Sequence, residues 1–140
     1  MTAASEASRA AVMARAEAGA SAPMTKDWVS LCLGRALKGR RATVFHELGC
    51  PLQPLDLDQP DSYFQEPFSG GLGWGMPAAI GAKMADPDRL VVATVGDGSY
   101  MFANPTACHF VAEAQNVPVI VLVLNNEEWA AVRYSVQGLY

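Results

Sequence analysis

The sequence predicts an α/β fold in which a parallel sheet is flanked by helices. Three observations carry that prediction. Residues 118–124 form a continuous apolar run, the pattern of a parallel strand covered on both faces. Residues 90–95 form a second, β-branched run. Segments with helical character alternate with these runs in the order helix, strand, loop, helix, strand, loop, helix, strand, helix. Such alternation implies right-handed crossovers between parallel strands.

The elements follow in chain order. Residues 1–24 read as an N-terminal arm or inter-domain linker: 5–18 are Ala-rich and studded with charge, and 19–23 are Gly-Ala-Ser-Ala-Pro. The domain proper is expected over 25–140. Thr25 is a plausible N-cap, with Lys26, Asp27 and Trp28 in the first turn. Trp28, Leu31, Cys32, Leu33, Ala36 and Leu37 give an apolar face at helical spacing, and Gly39 can end that helix. Residues 42–46 are a short strand candidate, and 49–68 are a long irregular stretch dense in Pro and Asp. Structureless connections of that length are uncommon in compact domains and often functional. Residues 77–85 read as a helix with Pro77 in its first turn. Asn104 and Pro105 read as cap and first residue of another, and Glu127 begins a last one. The chain stops at Tyr140, in or just past that helix, with three good strands. It is therefore expected to be a segment of a longer domain, truncated at its C-terminus.

A chain of 140 residues, 51% hydrophobic, fits one domain with a real core. The formal net charge is -4 and no Lys/Arg cluster appears, so no nucleic-acid partner is expected. Arg40-Arg41 reads as a solvated turn. No apolar run reaches the ~18 residues that a membrane span needs. Glu6, Arg9, Arg15 and Glu17 interrupt the N-terminus, which lacks the apolar core of a signal peptide. Cys32, Cys50 and Cys108 form neither a disulfide framework nor a zinc pattern, so a reducing cytoplasm is the expected compartment. His46 and His109 lack partners at triad or zinc spacing and are expected to have packing or surface roles. Trp74 is also expected in the core.

In open α/β sheets, ligands bind outside the carboxyl ends of the strands. One such end runs into Gly96-Asp97-Gly98-Ser99, the other into Asn125-Asn126. A right-handed crossover brings the two to one edge of the sheet. The result is a carboxylate between glycines beside an amide oxygen. A hard cation bridging a diphosphate suits that set, because magnesium takes oxygen ligands, often one or two side chains plus phosphates and water. Gly-Asp-Gly alone is usually a tight turn, and Asn-Asn after a strand is too. Two strands, each ending in its half of the motif and separated by a helix-length spacer, are far more specific.

This pattern resembles the signature of thiamine diphosphate (ThDP) enzymes, and the likeness extends beyond it. The segment Ser69-Gly70-Gly71-Leu72-Gly73-Trp74-Gly75-Met76-Pro77-Ala78-Ala79-Ile80-Gly81 is similar to the glycine-rich segment of the diphosphate-binding (PP) domain in acetolactate synthase and benzoylformate decarboxylase-like members. Asp86-Pro87-Asp88-Arg89 leads into the next strand as it does there. A dinucleotide-binding reading of these glycines is weaker: the spacing is not G-x-G-x-x-G and no strand immediately precedes it. The resemblance implies Asp97, the Asn126 side chain and the backbone carbonyl of Glu128 as Mg2+ ligands. It implies Gly96, Gly98 and Ser99 at the diphosphate, and Leu72 under the bend of the cofactor. The carbonyl of Gly70 and the amide of Leu72 would meet the aminopyrimidine, with Gly71 between them. Glu47-Leu48-Gly49-Cys50 corresponds to a loop that touches the diphosphate, and Trp129 is a candidate lining residue.

The chain departs from the family at Gly49 and Cys50, where hydroxyl residues are often found. It also departs at Glu127, often Gly, and its crossover is slightly longer. The family's activating glutamate lies on a separate pyrimidine-binding (PYR) domain, and Glu47 and Glu66 lack its context. The resemblance therefore implies half of an active site in a 2-oxo acid decarboxylase or carboligase. It also implies a PYR-domain partner on the same or a second chain, in a homodimer or homotetramer, and no activity for this chain alone. Two other readings stay open. One is a non-catalytic subunit or degenerate paralogue acting as an interface module. The other is a generic nucleotide-diphosphate binder.

Overall fold

A computed structural model describes residues 3–68 and 70–139. Two N-terminal helices, α1 (Ala3–Ala18) and α2 (Lys26–Leu37), precede β1 (Ala42–Glu47). A single turn α3 (Leu52–Leu55) and β2 (Tyr63–Gln65) follow, then α4 (Gly75–Ala85) and β3 (Leu90–Gly96). The rest comprises α5 (Asp97–Phe102), α6 (Pro105–Ala114), β4 (Ile120–Leu124) and α7 (Ala130–Leu139). All four strands are parallel, in the order β2-β1-β3-β4.

Alternation along the strands divides the core. Even-numbered side chains, Ala42, Val44 and Val92, meet Leu37 of α2 and Leu55 of α3. Odd-numbered ones, Phe45, Val91 and Ala93, meet Ala79 of α4. Met76 and Ile80 of α4 then pack on Cys108 of α6 and on Val117. Thr25 caps α2 as expected, its hydroxyl accepting the Trp28 N–H at 3.2 Å. Helix α1 lies on α2 through Arg15–Asp27 and Arg35–Glu17 ion pairs.

Several sequence expectations need correction. The stretch 49–68 is not structureless: it holds α3 and the edge strand β2, whose Phe64 stacks on Phe45 at 5.3 Å. Three residues are too few to show a period. Asn104 precedes α6 but makes no capping hydrogen bond; its φ is 52°, a left-handed conformation that Asn tolerates. A six-residue helix, α5, continues directly from β3. Strand β4 is covered only in part: Leu122 and Leu124 pack on the side of α2 and α3 and Val121 on the side of α4 and α6, but one residue on each face stays open. Ile120 and Val123 are 50% and 37% exposed, because β4 is an edge of the sheet and α7 buries no residue among those described. Ser69 and Tyr140 lie outside the described residues.

Candidate functional site

Strand β3 ends at Gly96, and Asp97 opens α5 without a break. Gly96 pairs with Leu124 at the end of β4, so Asn125 and Asn126 emerge beside Asp97. Asn125 Oδ1 accepts the Glu127 N–H at 2.8 Å and closes the turn. Glu127 itself holds a φ of 57°, the left-handed region that favours glycine, which accounts for glycine being common there in the family it resembles.

The Asn126 amide points between two acceptors. With its nitrogen inward it donates to Asp97 Oδ1 at 3.1 Å and to the Glu128 carbonyl at 2.8 Å. With its oxygen inward, that oxygen lies at the same distances from the Asp97 and Glu128 oxygens. Cis ligands of an octahedral ion with bonds of about 2.1 Å lie about 3 Å apart, so the spacing suits a small hard cation. The Glu128 carboxylate turns away to Arg133, leaving only its carbonyl for the site.

These groups open onto a cleft of about 690 Å³. Leu72, Gly96, Gly98, Ser99 and Trp129 line it with Asp97, Asn126 and Glu128. Ser99 is 2% exposed, and its hydroxyl has no hydrogen-bond partner, the condition of a polar group awaiting a ligand. The Trp129 ring lies over Gly98 and against Phe102, centroids 5.3 Å apart.

Other predicted residues are placed elsewhere. Gly49 and Cys50 do not line the cleft. Gly49 is pressed against β3, where an added Cβ would fall 2.4 Å from the Thr94 carbonyl carbon. The Cys50 side chain is in the core, and its N–H is donated to Thr94 Oγ1 at 3.2 Å. The thiol's pKa is raised by burial. The backbone amide of Cys50 is thus already engaged. Gly70 and Gly71 are exposed, outside the lining of the cleft. His46 stacks on Tyr63 with centroids 5.7 Å apart, and Trp74 packs on Phe45 at 5.8 Å. His109 meets the Tyr100 hydroxyl at 2.8 Å on the surface.

Lys26, which the sequence does not assign to the site, and Leu48, from the predicted cofactor loop, stand close to it. Lys26 lines the cleft from the start of α2, its ammonium donating to the Leu48 carbonyl at 2.5 Å. Leu48 also lines it and holds a φ of 58°. Non-glycine residues in that region cluster at functional sites. Glu47 is fully buried at the end of β1; its Oε1 accepts the Gly73 N–H at 2.6 Å and its Oε2 the Gly75 N–H at 2.5 Å. The sequence places Glu47 in the cofactor loop but not in this contact, whose signal is a carboxylate at a strand's carboxyl end, next in the sheet to the strand that delivers Asp97.

Comparison with known proteins agrees with this fold. Residues 49–140 match the family model of the thiamine pyrophosphate enzyme, C-terminal TPP binding domain. Benzoylformate decarboxylase of Pseudomonas aeruginosa is 40% identical over 82 residues, 59% of this chain and 15% of that protein. The mitochondrial acetolactate synthase catalytic subunit of Aspergillus candidus is 53% identical over 68 residues, 46% of this chain and 9% of that protein. The chain thus spans a small part of the length of these relatives. Among solved structures, the thiamine diphosphate-dependent 4-hydroxybenzoylformate decarboxylase of Rhodococcus jostii RHA1 superposes with a TM-score of 0.69. Its identity is 29%, over 83% of this chain and 22% of that one. With two strand ends meeting at Asp97 and Asn126, and the family model covering the chain from Gly49 onward, the chain belongs to the thiamine pyrophosphate enzymes, as their C-terminal cofactor-binding domain.

Proposed function

We propose that this chain forms the Mg2+- and diphosphate-binding half of a ThDP site in an enzyme that decarboxylates a 2-oxo acid or joins the resulting fragment to an acceptor. The observation that carries the reading is the Asn126 amide lying 3.1 Å from Asp97 Oδ1 and 2.8 Å from the Glu128 carbonyl. Asp97 brings the formal charge, and Asn126 and Glu128 bring neutral oxygens. That count leaves positions for phosphate oxygens and water on an octahedral ion.

The main-chain amides of Gly98 and Ser99 and the Ser99 hydroxyl are the donors for the diphosphate. The orphaned state of that hydroxyl supports its role. Leu72, in the lining of the cleft, would support the cofactor where it bends, and the main chain at Leu72 would meet the aminopyrimidine. Trp129 walls the cleft beside Gly98. Bound ThDP supplies a nucleophilic ring carbon and an electron sink for decarboxylation. Activating that carbon requires a carboxylic acid at the aminopyrimidine, and no side chain of this site offers one. Glu47 is committed to Gly73 and Gly75. The acid is therefore assigned to a PYR domain on the same or a second chain, in a homodimer or homotetramer. This chain alone is assigned no turnover. Relatives named benzoylformate decarboxylase and acetolactate synthase support the reaction class.

A thermal-shift titration tests the reading. Mg2+ with ThDP at a hundred times its Kd adds about 2.7 kcal/mol by mass action. Asp97→Ala is expected to abolish that rise. Stabilisation by ATP or NAD in preference to ThDP, or none by any of them in the wild type, overturns it.

A further inference from the structure

We infer that Glu47 is the positioning residue of this cofactor site: its buried carboxylate fixes the turn that holds Leu72 in the cleft. The inference rests on the ThDP reading and deepens it. Glu47 is 0% exposed, and among the described residues no lysine or arginine forms an ion pair with it. A buried carboxylate is costly, and an apolar side chain would fill the same space at less cost. What the carboxylate does there is geometric. Its two oxygens take the N–H groups of Gly73 and Gly75, the residues that follow Leu72 and open α4.

Those two bonds fix the turn from below. On its other side Gly73, at φ 89°, lies against α5, where an added Cβ would fall 2.7 Å from the Phe102 carbonyl oxygen. The turn is thus held between the end of β1 and the helix that Asp97 begins. Glu47 also pairs in register with Val95, two residues before Asp97. One carboxylate therefore sets where Leu72 stands relative to the cation ligands. The start of α4 stabilises the buried charge, because its free N–H groups and dipole favour an anion.

Glutamine cannot replace this contact. It offers one oxygen and one NH2, so one glycine N–H would face another donor. Aspartate is shorter by a methylene and reaches one amide at most.

Binding of two probes to the complete protein separates this role from simple packing. Mg2+ with inorganic pyrophosphate tests the diphosphate half alone; Mg2+ with ThDP also engages Leu72. Calorimetric titration of Glu47→Gln is expected to show ThDP affinity lowered about ten- to a hundredfold, the size of a lost charge-assisted hydrogen bond. Pyrophosphate affinity is expected to stay within about twofold, and Leu72→Ala to reproduce the same split. Equal affinity of Glu47→Gln and wild type for ThDP, or an equal loss for both probes, overturns the inference. Wild-type protein that binds pyrophosphate and not ThDP overturns the cofactor reading and this inference with it. Should Glu47→Gln not fold, amide exchange in the wild type decides. The N–H groups of Gly73 and Gly75 are expected to exchange far more slowly than those of Gly70 and Gly71 before cofactor is added. Equal exchange refutes the clamp.

Discussion

Replacing Asn126 by Asp puts a second carboxylate into the proposed cation site, and its effect can be worked out before magnesium is added. In the wild type the inward amide nitrogen donates at 3.1 Å to Asp97 and at 2.8 Å to the Glu128 carbonyl. The variant loses both hydrogen bonds and sets two anionic oxygens at about the same separation. At that distance the repulsion is about 1 kcal/mol in water and about 5 kcal/mol at an effective dielectric of 20. Asn126 is exposed and Asp97 half-buried, so solvent screening places the cost near the lower figure. With the lost hydrogen bonds, the metal-free variant is expected to be destabilised by about 1–3 kcal/mol, a fall in Tm of about 3–10 °C. Magnesium reverses the sign, because the second carboxylate is now a ligand. Calorimetry in chelator and then in magnesium, at low ionic strength, measures both legs. Magnesium alone should raise the Tm of Asn126→Asp more than that of the wild type. An unchanged Tm in chelator, or equal increments from magnesium, refutes the placement of Asn126 beside Asp97 and the Glu128 carbonyl.

Two further outcomes follow from local geometry. Glu127→Gly relieves a left-handed backbone worth about 1–2 kcal/mol, partly offset by the greater freedom of glycine in the unfolded chain. A rise in denaturant midpoint is expected, and a fall would show that the Glu127 side chain matters more than its φ. Burial lowers the pKa of His46 from its ordinary 6.5, with Glu66, Lys26 and Glu47 as the charges around it. A histidine whose folded pKa is depressed contributes stability above its unfolded value and loses it as pH falls through the folded one. Below about pH 6.5 the wild type should therefore lose stability faster than His46→Phe, and parallel curves from denaturant titrations at several pH values would contradict the assignment.

The parallel sheet was legible because its two central features are properties of runs: the β-branched 90–95 and the apolar 118–124 are each long enough to show a period. Asp97 and Asn126 were legible because each follows such a run directly, so topology alone brings them together. The edge strand β2 was not, since Tyr63–Gln65 is too short and sits among turn residues. The exposure of β4 was not either. A continuous apolar run specifies what a strand can bury, and Ile120 and Val123 are buried only in part here. The contact that Glu47 makes was not legible for a different reason. Its partners are main-chain N–H groups more than 25 residues away, and main-chain donors leave no trace in residue identity.

The pairing of β3 with β4 has a consequence for the proposed cation site. Neighbouring residues of a strand point to opposite faces, so a one-residue slip of β4 would present Asn125 where Asn126 now stands and turn the inward amide outward. The alignment is held by main-chain bonds from Val92–Ile120 to Gly96–Leu124 and by the inner side chains Leu122 and Leu124. Ile120 and Val123, which point to opposite faces of the strand, remain 50% and 37% exposed. Whatever packs there would lock the strand's phase. Coordination at Asp97 would then depend on contacts made on a part of the strand that carries no ligand.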